Sequence, residues 1–239
     1  MSRFAPEQAE ALLGECTSPV IVLSRHAGPG DSFLLVQELL VRGRRPRIVL
    51  RAALQLDPGI DLLGNRLPFC FVSPTTGTTE ATCARIAEIA ATMDSRSALL
   101  LFPEGGNFTP QRRRNAIRHL LRTGNRRHAR SAANMEHVVA PRPGGVLSAL
   151  NAAPAADVVF VAHSGLAGMD ARLWQRVPVE RDLHVEMFVA PAATIPNDDT
   201  ARIEWLFSWW KQLDNWINEH TPTEVALRFN TAVCTERAS

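Results

Sequence analysis

Two stretches carry side chains that could do chemistry. The first, Ser24-Arg25-His26-Ala27-Gly28-Pro29-Gly30-Asp31, sets a histidine five positions ahead of an aspartate. The Gly28-Pro29-Gly30 bend between them could fold the carboxylate back onto the ring. A carboxylate on one ring nitrogen fixes the tautomer and leaves the other nitrogen free to accept a proton, which makes a general base. A plainer reading stays open, because Asp31 is also well placed to cap the helix that follows and a histidine at a strand end is often mere polar surface. The second stretch, Pro103-Glu104-Gly105-Gly106-Asn107-Phe108-Thr109-Pro110, puts an acid and two glycines directly after an apolar run. Glycines let backbone N–H groups approach a ligand, and strand ends are where α/β proteins build sites.

Further along lies a segment dense in cations: Arg112, Arg113, Arg114, Arg118, Arg122, Arg126, Arg127 and Arg130, with His119 and His128 among them. Ile117, Leu120 and Leu121 give it one apolar stripe at helical spacing. It could be a solvated face, a surface for anionic lipid or phosphate, or a nucleic-acid patch, although no aromatic residue interleaves it for base stacking. Pro141-Arg142-Pro143-Gly144-Gly145 is a third polar turn after an apolar run. His163, followed by Ser164-Gly165, reads as a turn residue rather than a second base. The arginines of Val41 to Arg47 read as solvated loop charges.

Alternating elements must position these groups. Apolar runs at 19–23, 48–50, 67–72, 97–102, 137–140, 157–162 and 183–189 read as strands. Helical spacing is found over 32–40, 80–93, the arginine-rich segment, 146–151 and 201–220. The last helix aligns Trp205, Leu206, Trp209, Trp210, Leu213, Trp216 and Ile217 on one face, either packed on the sheet or lying in a membrane interface. Strand, helix, strand in alternation predicts a single α/β domain over residues 1–239, with a mixed central β-sheet flanked by helices.

Composition narrows the function classes. The chain has 239 residues, 46% of them hydrophobic, enough for a sizeable core, and a net charge of +2 that argues for no polyanion as a whole. Cys16, Cys70, Cys83 and Cys234 are scattered without metal-ligand spacing, so neither a zinc site nor a disulfide framework is expected. The first 15 residues lack the apolar core of a signal peptide, and no apolar run reaches the 18 or so residues of a membrane span. A cytoplasmic protein, free or peripherally bound to a membrane, is expected.

The polar turns together resemble the lysophospholipid acyltransferase family, also called the glycerolipid or phosphate acyltransferases. His26 and Asp31 match its histidine, four residues, aspartate motif. Phe102-Pro103-Glu104-Gly105 matches its Phe-Pro-Glu-Gly block. Pro141-Arg142 with the glycines after it is similar to a later Pro-Arg block, and Arg66 lies where a second motif is expected. The likeness covers about residues 18–220 and is nearest to the branch acting on lysophosphatidic acid. Arg25 stands where the family usually has asparagine, and Gly106-Asn107 where it has Thr-Arg; Arg112 to Arg114 could supply the missing cation.

The resemblance implies a glycerolipid acyltransferase-like fold and transfer of a fatty acyl group from acyl-CoA, or acyl carrier protein, to the hydroxyl of a lysophospholipid. It implies no metal and no cofactor beyond the acyl donor. His26 would be the base and Asp31 its orienting partner. Arg66, Glu104, Gly105, Gly106, Arg112 and Arg113 would bind the acceptor, with backbone N–H groups at Gly105 or Gly144 stabilising the oxyanion. Pro141 and Arg142 would serve the donor side or the site's structure. There is no Gly-x-Ser-x-Gly elbow, which favours direct transfer. An anionic membrane surface is the expected partner, with no nucleic acid. A catalytically silent lipid-binding protein of the same fold is the alternative.

Overall fold

A computed structural model describes residues 6–28, 31–51, 69–72, 79–165 and 184–221. The described residues form a six-stranded sheet in the order β3-β2-β4-β1-β5-β6, made of β1 (Val20–Ser24), β2 (Arg45–Arg51), β3 (Phe69–Val72), β4 (Ser97–Leu101), β5 (Asp157–Ser164) and β6 (His184–Ala190). All neighbours run parallel except β5 and β6, which run antiparallel, so the sheet is mixed as expected. The three central strands β4, β1 and β5 are almost wholly buried, the pattern of parallel strands covered on both faces.

Helices cover both faces. On one, α1 (Pro6–Glu15) and α2 (Asp31–Val41) set Leu13, Leu35 and Leu39 against Val20, Val22, Ala98, Leu100 and Val159. On the other lie α3 (Thr79–Ala91), α4 (Pro110–Arg122), α5 (Arg126–Ala133), α6 (Pro143–Ala152) and α7 (Asp199–His220), over Ile21, Leu23, Leu99 and Phe160. Gly144 and Gly145 belong to this packing. A Cβ on Gly145 would come within 2.9 Å of Ile86 and one on Gly144 within 3.1 Å of Cys83, so side chains there would push α6 off α3. The tryptophan face of α7 is core: the Phe160 ring meets Trp209 at 4.6 Å and Trp205 at 5.2 Å between centroids, and Trp210 is fully buried.

Three sequence expectations are corrected. The arginine-rich segment is two helices, because Gly124 turns the chain at φ 79° and Thr123 caps α4 through its N–H to the His119 carbonyl. Residues 137–140 form no strand. Their stretch receives its partners from side chains instead: the Asp214 carboxylate accepts the N–H groups of Glu136 and His137, and Glu104 accepts that of Val139. Arg44 is not a solvated loop charge but is buried, donating to the carbonyls of Leu12, Leu13, Ser18 and Ser95. It thereby satisfies carbonyls at the end of α1 that would otherwise lack partners. No helix among the described residues is long and apolar enough to cross a membrane.

Candidate active site

Parallel strands β4, β1 and β5 end side by side, Leu23 lying beside Leu101 on one side and Phe160 on the other, so that the polar turns after β1 and β4 are neighbours. His26 leaves the end of β1 and Asp31 opens α2. Their side chains meet, His26 Nδ1 standing 3.0 Å from Asp31 Oδ2. The same oxygen accepts the N–H groups of Ala27 at 2.7 Å and Gly28 at 3.2 Å. Asp31 therefore orients the ring, while its carboxylate closes the turn before α2 rather than capping the helix, since the N–H groups it accepts lie ahead of it in the chain. Burial pushes its carboxyl up, but the hydrogen bond and charge of His26, the nearby His163 and the Gly28 N–H outweigh that and hold it below the ordinary aspartate range.

The His26 side chain is 17% exposed while that of Asp31 is 1% exposed. The imidazole stacks on Phe102, centroids 4.5 Å apart, which leaves Nε2 as the ring atom without a hydrogen-bond partner among the described residues. The His26 backbone is clamped as well. Its N–H donates to Glu104 Oε1 at 3.3 Å, and its carbonyl accepts the Phe108 N–H at 2.6 Å.

Glu104 occupies a different place from the one expected. It is 1% exposed, and its two carboxylate oxygens take the N–H groups of His26 and Val139. It braces the main chain of His26 and the loop before α6. Burial raises its carboxyl to about 8, against the pull of Arg25 and of the two N–H donors. Gly105 and Gly106 turn the chain at φ 70° and 152°, conformations that favour glycine. The Gly105 N–H is committed to the Phe102 carbonyl at 2.9 Å, so it is not an oxyanion donor in this arrangement.

The arginines divide. Arg113 donates to the carbonyls of Met135 and Ala133, and Arg112 to that of Gly105, so both brace the turns around α4. Arg142 converges on the site as expected: its N–H donates to the Pro103 carbonyl at 2.9 Å. Its exposed guanidinium lies across Gly105, 3.3 Å from where a Cβ would stand. Pro141 is buried beside it. Arg66 lies outside the described residues.

Sequence reasoning places His163 in a turn and assigns Arg25 no role; the structure sets His163 within β5 and buries both. Arg25 is 4% and His163 2% exposed, and they exchange main-chain contacts: Arg25 Nη1 donates to the His163 carbonyl at 2.9 Å, and His163 Nε2 lies 3.4 Å from the Arg25 carbonyl. The Arg25 guanidinium supplies the nearby positive charge for both Glu104 and Asp31. No local pattern signals this, because the partners lie on strands distant in sequence. Among the described residues no group of histidine, cysteine, aspartate and glutamate is arranged to hold a metal.

A sheet whose central parallel strands end in a histidine–aspartate pair and a braced acid, with an exposed arginine brought beside them by the turn before α6, marks an α/β protein with its site at the strand carboxyl ends. Residues 5–161 match the family described as Acyltransferase, and the chain belongs to this family of glycerolipid acyltransferases. No curated protein and no solved structure matches the chain.

Proposed function

We propose that the chain moves a fatty acyl group from the thioester of acyl-CoA or acyl carrier protein to the free hydroxyl of a lysophospholipid, with lysophosphatidic acid the first-choice acceptor and phosphatidic acid the product. The observation that carries this reading is the contact of His26 with Asp31, its ring partly open and its far nitrogen unengaged by any described residue. An alcohol is too weak an acid to attack unaided near neutral pH. As its oxygen bonds to the thioester carbon, His26 Nε2 takes the hydroxyl proton and Asp31 stabilises the imidazolium. The tetrahedral intermediate collapses, the C–S bond breaks, and the departing sulfur recovers the proton from the imidazolium. No acyl-enzyme is formed.

For the anionic head group, Arg142 is the best-placed cation, since Arg112 and Arg113 are committed to carbonyls. Arg66 is kept as a second candidate on the strength of the sequence. The exposed arginines of α4, Arg114, Arg118 and Arg122, with exposed Leu121 among them, suit an anionic bilayer surface on which such acceptors reside. Flotation with vesicles that contain or lack anionic lipid tests that contact. The reaction is tested by incubating the purified protein with a panel of lysophospholipids and acyl-CoAs and following free thiol. Thiol release is expected with wild type and not with a folded His26→Ala variant. Full activity in His26→Ala would remove His26 as the base, and no release with any acceptor would favour a lipid-binding protein without catalysis.

A further inference from the structure

We infer that His163 is a positioning residue for the catalytic pair, its Nε2–H set between the Arg25 carbonyl and the same Asp31 oxygen that His26 contacts. This rests on the reading of His26 as base and deepens it. His163 stands near the end of β5, the strand next to β1, and the parallel register that pairs Ser24 with Val161 brings its ring behind the dyad. The ring is 2% exposed. Nε2 lies 3.4 Å from the Arg25 carbonyl and 3.8 Å from Asp31 Oδ2, while Nδ1 is buried with no hydrogen-bond partner among the described residues.

Those surroundings select one form of the ring. A neutral imidazole has one N–H and one lone pair. With the proton on Nε2 the donor faces a carbonyl and a carboxylate. With the proton on Nδ1 the donor would face no acceptor among the described residues, and a lone pair would point at two oxygens. Protonating both nitrogens would bury a cation beside the Arg25 guanidinium. Burial and Arg25 indeed lower the ring to about 4, against the opposing pull of Asp31. The charged and titratable groups that act on it are Arg25 and His26 after β1 and Asp31 on α2; Glu104 after β4 and Asp214 on α7 act on Arg25 in turn.

Buried and facing a carboxylate, His163 is no second base. Its N–H instead places partial positive charge beside Asp31 Oδ2, and its contact with the Arg25 carbonyl fixes the peptide that leads into His26. Removing that donor would let the carboxylate draw the His26 proton more strongly, so the acid limb of the pH profile of kcat/KM would move to higher pH. Lost alignment would lower kcat while KM stayed unchanged, since His163 touches no substrate.

Three measurements on the full chain decide this. First, nitrogen-15 spectra of the imidazoles should show His163 neutral with its proton on Nε2 between about pH 5 and pH 8; a proton on Nδ1 would overturn the assignment. Second, His163→Phe should lower kcat by about ten- to a hundredfold and shift the acid limb upward. Third, His163→Gln, whose amide N–H can reach the place of Nε2–H, should stay near wild type in both. A folded His163→Phe variant with wild-type kcat and limb, or a His163→Gln variant as slow as His163→Phe, would refute it. If His163→Phe does not fold, the spectra and His163→Gln decide. Full activity in His26→Ala would sink the parent reading instead, and the spectra keep the two failures apart.

Discussion

Glu104→Gln keeps the size of the side chain and removes its acid chemistry, and its consequences can be worked from the contacts. The two oxygens of Glu104 accept N–H groups at 3.3 Å from His26 and 3.2 Å from Val139. Glutamine has one acceptor oxygen, so its amide nitrogen must face one of those N–H groups, donor against donor. A buried donor left without a partner costs about 1–3 kcal/mol. Ionisation acts in the other direction. Folding raises the carboxyl from 4.5 to about 8, so between those limits the folded state holds a proton that the unfolded chain releases. The stability associated with that proton is fully present below the unfolded value and is lost as pH rises through the folded value. The slope approaches about 1.4 kcal/mol per pH unit. Urea unfolding of both proteins from about pH 5 to about pH 8 should show wild type ahead at the acid end and its lead shrinking or reversing toward the alkaline end. Asp31 does not enter this window, since its carboxyl is held below the ordinary range and its contribution is lost only as pH falls. Parallel stability curves for the two proteins would refute the placement of a proton on Glu104.

Asp31→Asn keeps an oxygen for the Ala27 and Gly28 N–H groups but loses the charge behind the base; a fall in kcat of roughly two or more orders of magnitude is expected, measured as thiol release, with far-ultraviolet circular dichroism unchanged. Arg44→Ala strips four carbonyls of their donor and should cost about 3 kcal/mol or more, read as a lower urea midpoint.

The His26–Asp31 contact was legible in the sequence because its spacing is local: five positions and a glycine-rich bend are enough to suggest that ring and carboxylate meet. The strands were legible for a related reason, since Val20–Leu23 and Ala98–Leu101 are continuous apolar runs of the kind that parallel sheets bury. The family likeness added the Glu104 and Arg142 turns to the same site, but not their division of labour. Whether Glu104 faces a head group or a peptide depends on the depth of the Phe102–Gly105 turn, which the Gly105 N–H to Phe102 bond and the β4 register determine. His137–Ala140 misleads because β-forming residues usually satisfy their N–H groups in a sheet, whereas here Asp214 and Glu104 supply acceptors from 77 and 35 residues away. Arg25, Arg44 and His163 were illegible for a common reason. Arginine and histidine are commonly exposed, and only the meeting of distant strands turns these three inward.

The order in which the chain is made bears on when the site can exist. The contact that secures the base's main chain to Glu104 spans 78 residues, and that between Arg25 and His163 spans 138. A nascent chain that has emerged only through α6 has the histidine, the aspartate and the glutamate, but it lacks β5 to close the far side of β1. Long-range parallel pairing is slow to form because loop closure precedes its reward. In refolding, recovery of thiol release should therefore lag behind recovery of helical signal, making activity itself a reporter of the arrival of β5.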